Sequence, residues 1–173
     1  MKMRLVRIIA IALFALGLMG AQGVLAEDAT PVATPASGVV RTVLSQGEPA
    51  SAPGLNLQLV RFDIPAHTKL PVHTHPGMQT AYLVSGVLQY TVVSGGPVTV
   101  VRAATSEGTP GATETVSAGQ TAVLNAGDSW TETEGMVHYA ENPGEEPVVI
   151  LVASLFMDGA PASTIVNVAT PSS

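Results

Sequence analysis

The sequence predicts an all-β fold, either a sandwich or a barrel, for residues 39–168. This stretch is rich in valine, leucine and threonine, and glycine or proline interrupts it at the intervals typical of short strands. Residues 55–64 alternate apolar and polar side chains for much of their length, which is the pattern of a half-buried strand. No stretch after residue 26 has a helical period, so we expect a single domain built from strands alone.

Apolar runs between these interruptions define the expected strands. The predicted strands cover residues 39–44, 55–64, 80–84, 87–93, 98–103, 114–116, 120–124, 129–133, 137–141, 148–156 and 163–168. The run 148–156 is almost continuously apolar, which favours a strand covered on both faces. Residues 94–97 (Ser-Gly-Gly-Pro) are expected to form a turn, and residues 105–113 a polar loop.

The two ends of the chain have a different character. Residues 1–26 combine a basic start, an apolar run over 8–19 and small residues before Glu27, which is typical of a signal peptide. The apolar run is shorter than the ~20 residues of a membrane-spanning helix, so cleavage is favoured, with a retained anchor as the alternative. Thr-Pro steps make residues 27–38 a flexible linker, and residues 169–173 resemble it. We therefore expect an exported protein, extracellular or periplasmic.

Charge and composition exclude several classes of function. Removal of the leader leaves 13 acidic residues and only four lysines and arginines, namely Arg41, Arg61, Lys69 and Arg102. This balance argues against nucleic acid or an anionic membrane surface as a partner. There is no cysteine, and neither a Gly-x-Ser-x-Gly elbow nor a phosphate-binding glycine loop occurs.

The histidines are the main chemical signal. Three of the four histidines, His73, His75 and His138, fall in two short segments. In a strand, His73 and His75 point to the same side, and Gln79 follows across a Pro-Gly step. Imidazole ligands suit zinc, copper, iron and nickel. The pattern therefore predicts a site for one divalent transition metal, with Mn, Fe, Ni, Cu and Zn all open.

The segment 67–86 resembles the first motif of the cupin superfamily, usually written G-x5-H-x-H-x3,4-E-x6-G. His73 and His75 match the paired histidines, and Gly86 matches the closing glycine. Two positions depart from the motif: His67 replaces the opening glycine, and Gln79 replaces the glutamate. Glutamine brings no charge to the ion, so the resemblance implies a site that keeps more positive charge and binds metal less tightly.

The segment 127–142 resembles the second cupin motif, usually written G-x5-P-x-G-x2-H-x3-N. Gly127, Gly135, His138 and Asn142 match it, while Thr133 replaces the proline. The two matches occur in the expected order, so the resemblance implies a single cupin jelly-roll β-barrel, a monocupin, with its metal site in the barrel mouth. It also implies pairing of barrels through their outer sheets, hence a possible homodimer.

The resemblance implies the metal ligands His73, His75, His138 and Gln79. Gln79 has three open roles: a direct ligand, a hydrogen-bonding group that orients a histidine, or a polar filler. The catalytic residues are unknown at this stage. His67 is expected at a surface turn, with a proton carrier at the rim as its alternative.

The neighbourhood of the second motif offers further groups. Trp130, Glu132 and Glu134 would share one strand face if the strand is regular, and Glu134 is a candidate general base. Tyr82 has the opposite parity to Gln79 and should face away from the metal.

Two functions follow as hypotheses. The first is an exported metal-binding cupin that acts as a small-molecule dioxygenase or isomerase, because cupins with three-histidine iron sites include dioxygenases acting on thiols and diketones. The alternative is a non-catalytic barrel that binds a small ligand or a metal. A purely structural barrel without metal is a third interpretation.

Overall fold

The structure, a computed structural model, describes residues 38–106 and 108–168. The predicted signal peptide, nearly all of the predicted linker and the predicted tail lie outside the described residues. The described residues form strands and no helix. The strands are β1 (Val40–Gly47), β2 (Leu55–Ile64), β3 (Thr68–Lys69), β4 (His73–Thr74), β5 (Met78–Ser85), β6 (Val87–Ser94), β7 (Val98–Val101), β8 (Thr113–Val116), β9 (Thr121–Asn125), β10 (Ser129–Glu132), β11 (Val137–Asn142), β12 (Val148–Met157) and β13 (Thr164–Ile165).

The strands make two sheets, which confirms the all-β prediction. The large sheet has seven strands in the order β1-β2-β12-β5-β10-β7-β8. The small sheet has six: five in the order β13-β4-β11-β6-β9, and β3, which pairs with β11. All of these pairings are antiparallel. Consecutive strands such as β5 and β6 enter different sheets, so residues close in sequence face each other across the interior.

The core lies between the two sheets. Alternate residues of β5 and β6 are buried, among them Leu83, Leu88 and Val92. They pack with side chains of β9 and β12, including Leu124 and Val148. Because side chains alternate along a strand, each of these strands places one row in the core and the other outside.

Strand β12 differs from the expectation of burial on both faces. Its side chains alternate between buried and partly or fully exposed positions along the whole strand. The strand is central because it pairs with both β2 and β5, but only one face of the large sheet meets the core. The continuous apolar run therefore reflects an apolar outer surface, to which Leu57, Tyr82 and Val84 contribute exposed side chains.

Two short strands, β3 and β4, were not predicted from the sequence. Each has only two residues, and Pro71 and Pro76 flank β4, so neither shows a period. Strand β4 pairs with both β11 and β13, which places His73 inside the small sheet. Within the part of the chain that the structure describes, no helix has the length and apolarity needed to cross a membrane.

Candidate metal centre

The structure brings the three motif histidines together. His73 in β4 stands directly opposite His138 in β11, and His75 follows just after β4. The ring centroids lie 4.3 Å apart for His73 and His138, 4.9 Å for His73 and His75, and 5.1 Å for His75 and His138. One nitrogen from each ring lies within 4.8 Å of the others, so the cluster offers three ligand atoms to a single ion.

Backbone carbonyls orient two of the three rings. The Nδ1 atom of His73 lies 2.7 Å from the carbonyl oxygen of Pro71, and that of His75 lies 2.7 Å from the carbonyl oxygen of Ala162. A carbonyl only accepts, so Nδ1 carries the proton in each ring and Nε2 keeps its lone pair. Metal-binding histidines are commonly oriented in this way.

Aromatic rings hold the third histidine. His138 is 3% exposed, and its ring stacks on Tyr90 with centroids 5.3 Å apart and an interplanar angle of 25°. Among the described residues, its Nδ1 atom has no hydrogen-bond partner, and neither does the Tyr90 hydroxyl. Buried polar atoms are normally paired, so protein groups alone do not satisfy this part of the cluster.

The electrostatics keep the rings in the form that binds metals. Burial lowers the pKa of His73 to about 4, and the neighbouring His138 and His75 add to the effect. Burial is also the largest cause of the lowered pKa of His75. Both rings are therefore neutral at neutral pH, and a neutral imidazole nitrogen is a metal ligand.

Gln79 lies on the opposite, large sheet. It is buried, lies beside Ser154 of β12, and stands directly across from Glu132 of β10. Its side-chain amide donates a hydrogen bond to Oε2 of Glu132. Of the three predicted roles, the structure shows a hydrogen-bonding one, although its partner is a carboxylate and not a histidine. Direct ligation by Gln79 stays a prediction.

Glu132 is the functional group that sequence reasoning did not assign to the site. Its side chain is buried, and its Oε1 atom accepts a hydrogen bond of 2.8 Å from the indole N–H of Trp130. Its Oε2 atom lies 3.5 Å from Nε2 of His75 and 3.5 Å from Nε2 of His138. Parity predicted that Glu132 and Trp130 share a face, but the approach to the histidines depends on the packing of the two sheets.

Glu132 carries its charge in the interior. Burial raises the pKa of its carboxyl, but the electrostatic effect of the neighbouring His138 and His75 rings and the N–H groups of Gln79 and Trp130 outweigh burial and lower it overall. In the described part of the chain, no lysine or arginine pairs with this carboxylate. Three imidazoles thus converge, and a carboxylate approaches two of them. Nitrogen and oxygen donors of this kind fit a divalent transition metal.

The cluster opens into a cavity of about 180 Å³. Its walls are mostly apolar, including Phe62, Leu70 and Phe156, and the Phe156 ring is stacked against His75 at a centroid distance of 6.0 Å. Arg41 of β1 is the one lysine or arginine among the described residues that line it. An apolar cavity with a few convergent polar groups is the usual form of a small-molecule site.

The other residues singled out from the sequence lie elsewhere. Glu134 and Tyr82 are exposed, so the structure does not place the candidate general base Glu134 in the cavity. Tyr82 faces away from the histidines, as predicted. His67 is exposed and lies 2.9 Å from Glu145. Its φ of 53° explains why glycine is usual at this place in the motif, since other residues seldom adopt that conformation.

Two motif residues have structural roles. The Asn142 side-chain amide donates to the carbonyl oxygens of Ile64, Pro65 and Glu146. Gly86 has a φ of 88°, and a Cβ there would lie 2.7 Å from a methyl carbon of Val148. The motifs therefore record turns and close contacts as well as ligands.

Solved structures that resemble this chain come from several bacteria. An uncharacterized conserved protein with a double-stranded β-helix domain from Klebsiella pneumoniae is 21% identical, with 79% of this chain and 92% of that chain covered and a TM-score of 0.49. A cupin superfamily protein from Desulfitobacterium hafniense is 12% identical, with 71% of this chain and 82% of that chain covered and a TM-score of 0.46. Oxalate decarboxylase from Lactobacillus farciminis, in complex with formate, is 19% identical, with 63% of this chain and 26% of that chain covered and a TM-score of 0.42.

A comparison with curated proteins found no match. The family model described as Cupin matches residues 25–169, a range that includes both histidine segments and both sheets. The match agrees with the resemblance seen in the motifs and with the two antiparallel sheets of the structure. The chain belongs to the cupin family.

Proposed function

We propose that the protein binds one divalent transition metal ion through His73, His75 and His138 and uses it to convert a small molecule. The observation that carries this proposal is the position of three convergent imidazoles at the wall of an apolar cavity. An isolated buried histidine is usually a hydrogen-bonded core residue, but three with ligand atoms within 4.8 Å of one another favour a metal site.

The reaction class that fits is dioxygenase-like or isomerase-like chemistry on a small oxygen- or sulfur-bearing substrate. A bound ion would polarise the donor atom of the substrate or, if redox-active, support reaction with dioxygen. The wall around His75, with Phe156 stacked on its ring, gives a bound substrate a mostly apolar surrounding. Arg41 supports a preference for substrates that carry a negative charge.

The alternative is a barrel that binds a small ligand or a metal without turnover. The absence of the motif glutamate at position 79 favours it, because a changed donor set is one way in which a cupin loses catalysis. Both functions need the same metal and cavity, so metal content alone does not separate them. Turnover of a small substrate does.

Two further features remain proposals. Export rests on the signal-peptide pattern of residues 1–26. A homodimer would pack two copies of the outer face of the large sheet against each other, since Leu57, Tyr82 and Val84 are exposed there.

The first test is elemental analysis of the protein purified without an affinity tag, beside a His73→Ala/His138→Ala double variant. We expect close to one transition-metal ion per chain in the parent and none in the double variant. The matched control is His67→Ala, which removes an exposed histidine and should keep the metal. An empty parent that no added Mn, Fe, Ni, Cu or Zn stabilises against heat would contradict the proposal.

The second test separates the two functions. The metal-loaded protein is incubated with a panel of small thiols, diketones and hydroxycarboxylates, with dioxygen consumption and product formation followed together. Turnover that the His73→Ala/His138→Ala variant lacks supports the enzyme. Saturable binding to the metal-loaded parent without turnover supports the binding protein.

A further inference from the structure

We propose that Glu132 supplies the charged ligand of this metal site, in place of the glutamate that the first cupin motif has at position 79. The inference rests on the proposed metal-binding function and adds a residue that the motifs do not contain. It also assigns Gln79 and Trp130 as positioning residues that orient the carboxylate.

The distances carry the first step. Oε2 of Glu132 lies 3.5 Å from the Nε2 atoms of both His75 and His138. Zinc bonds to nitrogen and oxygen are about 2.0–2.1 Å long, so two ligands of one tetrahedral ion lie about 3.4 Å apart. The observed separations are those of atoms that share an ion, and they are too long for strong direct hydrogen bonds.

The fold explains how the carboxylate reaches the site. Glu132 and Gln79 form a cross-strand pair between β10 and β5, so their side chains leave the same face of the large sheet. A carboxylate on either strand therefore enters the cavity at neighbouring points. The acidic group of this site therefore lies on β10, directly across from position 79 of β5.

Two side-chain donors hold the carboxylate in one orientation. The Trp130 indole donates to Oε1 at 2.8 Å, and the Gln79 amide donates to Oε2. Each carboxylate oxygen has two lone-pair directions, so Oε2 keeps one free on the side of His75 and His138. This arrangement gives Gln79 a function that glutamate at the same position could not perform, because a carboxylate has no N–H to donate.

Charge balance supplies the last step. A buried carboxylate without a cationic partner is strongly unfavourable, and the described lysines and arginines do not pair with Glu132. A divalent ion compensates for this charge directly. With Glu132 as ligand, the ion and its donors carry a net +1, the value that the usual motif glutamate would give, and not the +2 implied by Gln79 alone.

The competing explanation is a carboxylate–imidazolium pair, in which Glu132 holds a proton on His75 or His138 and never binds an ion. Zinc affinity distinguishes the two. The measurement is Zn²⁺ titration by calorimetry, with a competing chelator, on the chelator-stripped parent and on three variants: Glu132→Gln, Gln79→Glu/Glu132→Gln, and Glu134→Gln.

We expect Glu132→Gln to lower the zinc affinity by about tenfold or more, since even groups that only orient metal ligands commonly contribute 10- to 100-fold. The double variant moves the charge back to β5 and should recover most of the loss. Glu134→Gln makes the same chemical change two residues away on the exposed surface and should leave the affinity unchanged.

Each contrary result has a distinct meaning. Zinc affinity in Glu132→Gln equal to that of the parent overturns the role of Glu132 and leaves the three-histidine site intact. A parent that binds no metal overturns the proposed function as well.

If Glu132→Gln does not fold, as judged by circular dichroism, the parent alone decides the question. Its zinc-minus-apo infrared difference spectrum must contain shifted carboxylate stretching bands. Their absence, with zinc bound, overturns the proposal.

Discussion

The two sheets contribute to the cavity in different ways. The small sheet supplies three imidazoles, from β4, from the residues just after it and from β11. The large sheet supplies a carboxylate, an amide and an indole from β5 and β10. The first group lies in recognisable motifs, whereas the second becomes a unit only through the pairing of Glu132 with Gln79. A motif therefore identifies one half of this site, and sheet register identifies the other.

The two halves also differ in what holds them. Backbone carbonyls of Pro71 and Ala162 orient His73 and His75, and no side-chain substitution removes a backbone acceptor directly. Glu132 is oriented by side-chain N–H groups, each of which a single substitution removes. The large-sheet half should therefore be the more sensitive to point mutations outside the ligands themselves.

The largest stability effect is expected where the chain passes from one half to the other, at Gly77. A Cβ at this position would collide with the carbonyl oxygen of Leu155 and lie 2.9 Å from a ring carbon of Phe156. Overpacking of this kind costs about 1–3 kcal/mol, so Gly77→Ala should lower the free energy of unfolding by that amount in urea titrations. Gly47→Ala is the control, because nothing lies within 4 Å of its Cβ. Equal stability of the two variants would show that this passage is not tightly packed.

The next effect concerns the turn that leads into β10. The Asp128 carboxylate accepts hydrogen bonds from the backbone N–H groups of Asn125 and Ala103, at 2.9 and 2.8 Å, and from Arg102 at 2.7 Å. Burial raises its pKa, but these three donors outweigh burial and lower it overall. Asp128→Asn should lower the free energy of unfolding at pH 7 by about 1.5 kcal/mol, the low end of the range for hydrogen bonds to charged groups, because asparagine keeps one acceptor oxygen.

The pH dependence of this effect has a definite sign. A folded pKa below the unfolded value, about 3.9, means that the contribution of Asp128 is complete above that value. It is lost as the pH falls through the lower folded pKa. The difference in stability between the parent and Asp128→Asn should therefore shrink as urea titrations are taken from pH 6 to pH 3. The same change at exposed Asp158 should have no effect, and a difference independent of pH would argue against a charge-based role for Asp128.

The smallest effect is expected at the indole that supports Glu132. Trp130→Phe keeps an aromatic ring beside Tyr90, whose centroid lies 5.7 Å away, but removes the N–H donor to Oε1 of Glu132. We expect a loss of about 1 kcal/mol in stability and a fall in zinc affinity of up to about tenfold. Tyr90→Phe removes a hydroxyl that has no partner at hydrogen-bond geometry among the described residues, although Glu132 influences it, and should change both quantities less. If Tyr90→Phe lowered stability and zinc affinity more than Trp130→Phe, the Tyr90 hydroxyl and not the Trp130 indole would be the donor that supports Glu132.

Much of the fold follows from local pattern. Strand β2 has the predicted bounds, 55–64, because its alternation of apolar and polar side chains is long and regular. Strands β3 and β4 were missed because two residues are too few to show a period. The expectation that both faces of β12 are buried was wrong for another reason. An apolar run shows that the side chains are apolar, but not whether other residues cover them.

By itself, the sequence determined the all-β class, the histidines that meet and the family, because alternation and motif spacing are properties of neighbouring residues. Only the tertiary structure decided that Glu132 approaches His75 and His138 and that Gln79 donates to it. The contacts of Glu132 with the two histidines join residues of different sheets, and its contact with Gln79 joins two strands of one sheet across 53 residues of chain. Their geometry depends on strand order and register, which many residues set together and no short segment encodes.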